Sequence, residues 1–131
     1  MKLNLRKPLT DADWEGIVKE GPGVRIYKGK KTLFYNGEIL GDAHDHPVVH
    51  NKEERNSWEA IIVLPGVEVI PWYCFRYCRN IKVVIMADTV RRIEEDAFLE
   101  CCSLAFIKLS RNLEYIGNSA FYLCESLTSI F

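Results

Sequence analysis

The sequence lacks the features that mark membrane-spanning, secreted and nucleic-acid-binding proteins. No apolar stretch approaches the roughly 20 residues that a helix needs to cross a bilayer. Residues 1–8 lack the apolar core of a secretory signal. The formal net charge of the 131-residue chain is −1, so no excess charge attracts nucleic acid or an anionic membrane. These absences predict a soluble, cytoplasmic protein with no nucleic-acid partner and no membrane span.

Motifs of catalysis and cofactor binding are also missing. The chain contains no glycine-rich phosphate loop, no Gly-x-Ser-x-Gly nucleophile elbow and no Cys-x-x-Cys pair. Its five cysteines are an odd number in a chain without a secretory signal, which argues against a disulfide framework. The sequence therefore predicts a protein that is not an enzyme and needs no cofactor.

What the sequence does contain is an internal repeat of 23 residues between Trp58 and Phe131. Shifting the chain by one period aligns residues of the same kind without any insertion. The aligned columns include an aromatic set of Phe75, Phe98 and Phe121, and a thiol set of Cys78, Cys101 and Cys124. The units are residues 58–80, 81–103 and 104–126, followed by a partial unit at 127–131. A unit of this size buries its apolar face only by stacking on its neighbours, so the repeat predicts a solenoid.

Each unit carries two kinds of spacing. In the third unit Ile107 and Leu109 alternate with the polar Lys108, which predicts a strand with one face in the core. The later apolar residues recur every three to four positions, which predicts a short helical or 3₁₀ return. Stacked strands would then pair in parallel about 4.8 Å apart. The thiol column is interpreted as a set of small buried hydrophobic residues, with Cys102 as the most exposed thiol.

The full pattern I-x-L-x-x-x-L-x-x-I-G-x-x-A-F-x-x-C-x-x-L, from Ile107 to Leu127, resembles the BspA-like leucine-rich repeats. The resemblance covers residues 58–131. It implies a curved right-handed solenoid with roles in adhesion, including adhesion at cell surfaces, and in protein or ligand binding. One departure is Glu94, which stands in the second unit where the third has Gly117.

Residues 1–57 are predicted to cap the first repeat. Thr10 and Asp13 form a variant of the capping box before a helix over 11–20, and an antiparallel β-meander follows over 24–40. Residues 41–57 are predicted to be a surface loop. The residues expected to cover the apolar end of the first unit are Trp14, Ile17, Phe34 and Leu40. The predicted fold class is thus an α/β repeat: a short leucine-rich-repeat solenoid with a parallel sheet on its concave side, preceded by a small helix and a β-meander cap.

The concave face of the sheet is the candidate binding site for a protein partner. Outward strand positions are apolar to an unusual degree for a solvated surface, and polar residues lie just past the strands. The predicted binding residues are Ile62, Val83, Ile85, Asp88, Phe106, Lys108 and Arg111. Two other interpretations stay open: the cap covers this face, or the scattered apolar residues have no function.

Alternatives from other classes use other parts of the chain. The strand that begins at Leu127 is interrupted at Phe131, so either the chain is a fragment of a longer array or this apolar end drives self-association. His44, His46 and His50 are the one cluster that offers three ligands to a metal, although their spacing matches no established site. A basic turn at 28–31 is interpreted as a solvated hairpin tip.

Overall fold

The computed structural model describes residues 3–15, 17–21, 24–37 and 52–131. Within these ranges, the regular structure consists of two short helices and ten strands. The helices are α1 (Asp11–Glu15) and α2 (Lys52–Ser57). The strands are β1 (Val18–Gly21), β2 (Val24–Tyr27), β3 (Lys30–Tyr35), β4 (Ala60–Val63), β5 (Val69–Ile70), β6 (Val83–Met86), β7 (Arg92–Ile93), β8 (Phe106–Lys108), β9 (Tyr115–Ile116) and β10 (Ser129–Ile130).

The strands form two sheets that lie on opposite sides of each coil. The larger sheet has the order β1-β2-β3-β4-β6-β8-β10, and the smaller has the order β5-β7-β9. Strands β1 to β3 pair antiparallel, whereas β3, β4, β6, β8 and β10 pair in parallel. Ala60 pairs with Val83 and Val83 with Phe106, one repeat period apart each time. The predicted parallel solenoid is therefore confirmed, and its register is the period of the repeat.

The core lies between the two sheets and is built from the repeat columns. Ile61, Val84 and Ile107 point inward and are essentially inaccessible to solvent. The aromatic column forms a ladder, with ring centroids 5.3 Å apart from Phe75 to Phe98 and again from Phe98 to Phe121. Stacking in register thus converts each column of like residues into a continuous line of apolar contact.

The return segment of each coil is not the helical or 3₁₀ segment that the spacing predicted. It contains the short strands of the smaller sheet and then successive turns. Two residues per coil have positive φ, starting with Tyr73 at 61° and Tyr77 at 64°. A residue with positive φ prevents a turn from continuing as a helix. The N–H groups that a helix would bond internally therefore pair between coils instead. Phe75 N–H donates to the carbonyl of Ala97, and Phe98 N–H donates to that of Ala120, both at 2.8 Å.

The predicted helix 11–20 is wrong in its second half. The capping box is present: Thr10 N–H donates to Asp13 Oδ2 (2.8 Å), and Asp13 N–H donates to Thr10 Oγ1 (3.2 Å). The helix nevertheless ends at Glu15, and Val18–Gly21 is a strand. Val18 pairs with Ile26 and Lys19 with Arg25 of β2, so pairing between strands takes the place of the second half of the helix.

The meander is therefore displaced toward the N-terminus, with β1, β2 and β3 as its three strands. The strand predicted at 38–40 lies outside the described residues, as do Leu40 and most of the loop predicted at 41–57. The last six residues of that loop are helix α2 rather than loop. Strand β3 has a second role that the sequence did not reveal, because it also pairs in parallel with β4 and so begins the sheet of the solenoid.

The residues that cap the first coil are partly those predicted. Ile17 is buried as expected, while the side chain of Trp14 lies outside the described part of the structure. Tyr35, not Phe34, meets the aromatic ladder, with its ring 5.3 Å from that of Phe75. Phe34 pairs with Ile62 and so shares the outward column. Alternation along β3 decides this, because neighbouring residues of a strand face opposite sides.

Candidate functional site on the concave face

The outward column of the parallel sheet becomes more exposed from β4 to β8. It runs from Phe34 to Ile62, Ile85 and Lys108, each paired with the next. Ile62 is only 2% exposed. Ile85 is half-buried and Lys108 is exposed. The face is thus covered at the cap and open at the later coils.

A cavity of about 500 Å³ lies against this column. Five of the seven predicted binding residues line it: Ile62, Ile85, Asp88, Lys108 and Arg111. Its other lining residues are Leu3, Asn4, Leu5, Arg6, Tyr27, Lys28 and Met86. The N-terminal segment 3–6 and the tip of the β2–β3 hairpin therefore form the walls that the sheet itself lacks.

One of the predictions for this face needs correction, and the cavity involves only part of the predicted set. Ile62 was predicted to be exposed, but its side chain is buried, with 2% of its surface exposed. Val83 and Phe106 do not line the cavity, although both are half-buried outward residues. Phe106 instead stacks on Phe131, with ring centroids 5.2 Å apart. The apolar strip is therefore shorter than predicted and has a wall on one side.

The charged groups around the cavity are mostly basic. Arg6, Lys28, Lys108 and Arg111 contribute four positive charges, and Asp88 contributes one negative charge. Asp88 Oδ1 accepts the backbone N–H of Arg111 at 2.9 Å, and its Oδ2 lies 3.9 Å from Arg111 Nε. The side chain of Arg111 is still 70% exposed, so its charge is available at the rim.

The sequence interpretation missed the walls of the cavity. Leu3 and Leu5 alternate with polar Asn4 and Arg6, which is the period-two signal of an extended segment with one apolar side. This alternation was the available signal, but four residues are too few to predict which surface they cover. The interpretation of Lys28 as part of a solvated tip missed its position beside the sheet, which depends on how the hairpin folds back.

Cys74, Cys78 and Cys101 are part of the core and do not form a reactive site. Cys78 and Cys101 are buried, as predicted, and Cys124 in the last coil is half-buried. The Cys101 thiol donates to the carbonyl oxygen of Phe75 at 3.2 Å. Burial raises the pKa of Cys78 to about 12 and raises that of Cys101 as well. Thiols held protonated in this way are poor nucleophiles and poor metal ligands.

The histidines of the metal hypothesis, His44, His46 and His50, lie outside the described residues. Among the residues that the structure describes, no group of three or more His, Cys, Asp or Glu side chains is arranged to hold a metal ion. Metal binding by the three histidines therefore stays a prediction.

The last coil presents a second candidate surface. Ile116, Tyr122, Ile130 and Phe131 are 47–71% exposed there, whereas Ile93 and Ile107, the equivalents of Ile116 and Ile130 in the preceding coil, are buried. In the first two coils, return-segment N–H groups donate to the following coil. The equivalent N–H groups of the third coil, those of Ser119, Phe121 and Leu123, have no later coil to bind within residues 52–131. Within residues 52–131, this end exposes apolar side chains and three N–H groups without a backbone acceptor.

Three stacked coils, each with a strand, a turn, a shorter strand and a turned return, define a leucine-rich-repeat solenoid. Residues 54–131 match the family described as the BspA type leucine rich repeat region (6 copies). That match spans more than half of the chain, so the protein belongs to this family. The family is one of repeat proteins associated with protein–protein interaction. Comparison with curated proteins and with solved structures gives no match. No helix within the described ranges is long and apolar enough to cross a membrane.

Proposed function

We propose that the protein is a non-catalytic recognition module that binds a protein partner in the cavity on its concave face. One observation carries the proposal: the half-buried Ile85, next to the buried Ile62, forms an apolar floor beside charged groups that converge from three segments of the chain. Binding sites combine an apolar surface with a few placed polar groups, and a volume of about 500 Å³ is within their usual range.

The two parts of the cavity serve different purposes in this proposal. The half-buried Ile85 offers apolar area that a partner removes from water, which supplies affinity at about 25 cal/mol per Å². Lys108 and Arg111 at the rim orient the partner. They also exclude proteins that offer them no counter-charge, because burying an unpaired charge on binding has an unfavourable free energy.

Replacing Ile85 with lysine tests the site. The new ammonium group lies on the cavity floor, and burying it under a partner is expected to weaken binding at least about tenfold, since an unpaired buried charge costs several kcal/mol. The fold should persist because the position is only half-buried. Peptides are first selected on the wild-type chain from a random display library, and their affinity for each variant is then measured by calorimetry.

Val69→Lys is the matched control for this experiment. Val69 is a β-branched strand residue that is 39% exposed on the smaller sheet, away from the cavity. Selected peptides should bind this variant as they bind the wild type. If instead they bind Ile85→Lys with unchanged affinity, recognition does not use the concave cavity.

A second candidate function is self-association through the last coil, favoured by its exposed apolar residues. A second copy of the chain would cover Ile130, which is 60% exposed, and Phe131, which is 71% exposed. Open strand edges of this kind are templates for pairing with another chain.

Light scattering on the 131-residue chain tests self-association. We expect a molar mass that rises with concentration in the wild type and stays at the monomer value for Ile130→Asp, because a carboxylate at the edge opposes apolar pairing. Val69→Asp, which places the same charge on another strand, should behave as the wild type. A wild-type mass that is monomeric at all concentrations contradicts this candidate and leaves the concave site untouched.

A further inference from the structure

Three basic groups around the concave cavity differ from three arginines elsewhere in the solenoid. Arg79, Arg91 and Arg92 each have a carboxylate within 3.0 Å, from Glu100, Glu114 and Glu94 respectively. Arg6, Lys28 and Lys108 have no carboxylate partner in the described part of the chain. The cavity is therefore a basic region on a chain whose net charge is −1.

The positions of these groups follow the order of the strands. Lys28 lies at the β2–β3 turn, at one end of the cavity, and Lys108 lies on β8 at the other end, near Arg111. The apolar Ile62 and Ile85 lie between them, on β4 and β6. Across the sheet, basic side chains thus lie at both ends of the cavity, and apolar side chains lie between them.

The length of this pattern determines the size of the occupant. From β3 to β8 there are three steps between neighbouring strands, which at about 4.8 Å each span roughly 14 Å. An extended chain rises about 3.3 Å per residue, so four or five residues cover that distance. An occupant with complementary chemistry is acidic at both ends and apolar in the middle.

We infer that the concave cavity binds a short extended segment of a partner protein in which acidic residues flank an apolar centre. This inference rests on the proposed function, because it names the chemistry of the partner at the same site. Apolar side chains of the segment pack on Ile85, which is half-buried. Its carboxylates pair with Lys28 at one end and with Lys108 and Arg111 at the other. Asp88 already accepts the Arg111 N–H. Its carboxylate repels the carboxylates of any segment that lie beside it, and so disfavours other placements of the segment along the groove.

The test uses three fluorescein-labelled heptapeptides and the full chain, with binding read by fluorescence anisotropy. The first peptide is Glu-Glu-Leu-Val-Leu-Glu-Glu; the second has lysine for every glutamate; the third has serine for its three apolar residues. We expect the first to bind at least about tenfold more tightly than either of the others, and its affinity to fall with added salt because exposed ion pairs are screened.

Charge reversal locates the interaction. The double variant Lys108→Glu/Arg111→Glu is expected to bind the acidic peptide about tenfold more weakly, since attraction at two rim positions becomes repulsion. Arg79→Glu/Arg91→Glu changes the net charge of the chain by the same amount away from the cavity, and should bind as the wild type. Circular dichroism of both variants verifies that the fold is retained.

The outcomes separate this inference from the proposed function. If the lysine peptide binds as tightly as the acidic one while Ile85→Lys still abolishes binding of the selected peptides, the acidic partner is wrong and the concave site stands. If neither Ile85→Lys nor the Lys108/Arg111 reversal affects any bound peptide, both proposals are wrong. Tighter binding of a long-chain fatty carboxylate, with displacement of the acidic peptide, also overturns the inference because the site would then serve a small amphiphile.

Discussion

Phe98→Ala is expected to lower the free energy of unfolding by about 3–5 kcal/mol, the range for truncating a fully buried phenylalanine. Phe98 is 0% exposed, and its ring lies between those of Phe75 and Phe121, 5.3 Å from each. Truncation removes the stacking contacts with both neighbouring coils and leaves a cavity that the in-register backbone cannot close. Urea unfolding followed by circular dichroism measures the change.

This loss is large because a domain of ordinary stability has only about 5–15 kcal/mol in total. Phe121→Ala is the matched control, because Phe121 has a ladder neighbour on one side and is half-buried in the last coil. Its loss should be about half as large, since less area is buried and the site opens to water. Equal losses for the two variants would contradict the view that stacking between coils stabilises this protein.

Gly117→Ala is expected to destabilise the protein by about 1–3 kcal/mol through overpacking. A Cβ atom at this position would lie 2.6 Å from the backbone nitrogen of Glu95 and 2.9 Å from the carbonyl carbon of Glu94, in the preceding coil. Backbone atoms of a packed coil cannot rotate away as a flexible side chain does. The gain of about 0.4–1 kcal/mol from a stiffer unfolded chain is smaller than this clash. The same unfolding measurement detects the net loss.

Glu94→Ala is the control, because Glu94 holds the equivalent place one repeat earlier and already has a Cβ atom. Its side chain is partly exposed and pairs with Arg92 at 2.8 Å, so its removal should cost no more than about 1 kcal/mol. Stability of Gly117→Ala equal to or above that of the wild type would mean that the two coils are not held as closely as the structure shows.

The departure of Glu94 from the repeat pattern thus has a structural meaning. Gly117 N–H donates to the carbonyl of Ile93, and Glu94 N–H donates to that of Ile70, so both positions make the same bond between coils. The two positions differ in how closely the coils approach each other. At Gly117 the third coil lies so close to the second that only a residue without Cβ fits. The repeat pattern identified this column, but the distance between backbones was not predictable from it.

The repeats were predictable because each column has the same environment in every coil. Phe75, Phe98 and Phe121 recur at one period, and so do their contacts, so three weak local signals add up to one strong prediction. The return segment was mispredicted because a spacing of three to four residues is shared by helices and by successive turns. Positive φ at Tyr73 and Tyr77 distinguishes the successive turns from a helix, and the identity of these side chains does not predict it.

The cap was harder to predict because it occurs once. Val18–Gly21 carries both helical and strand signals, and its pairing with β2 decided between them. Tyr35 replaced Phe34 at the aromatic ladder because of the side of β3 that faces the core, which depends on the register with β4. A shift of one residue reverses every side chain of a strand, and the local sequence does not set that register.

By itself, the sequence determined the solenoid, its period, its core columns and its family. The reason is that, in a regular stack of coils, residues one period apart in the sequence contact each other. Only the tertiary structure decided the shape of the candidate site. The segment 3–6 and the tip at Lys28 lie far along the chain from Ile85 and Lys108, and they meet only because the cap folds over the concave face. Contacts between an unrepeated cap and a repeated sheet depend on how the cap packs in three dimensions, which no periodicity encodes.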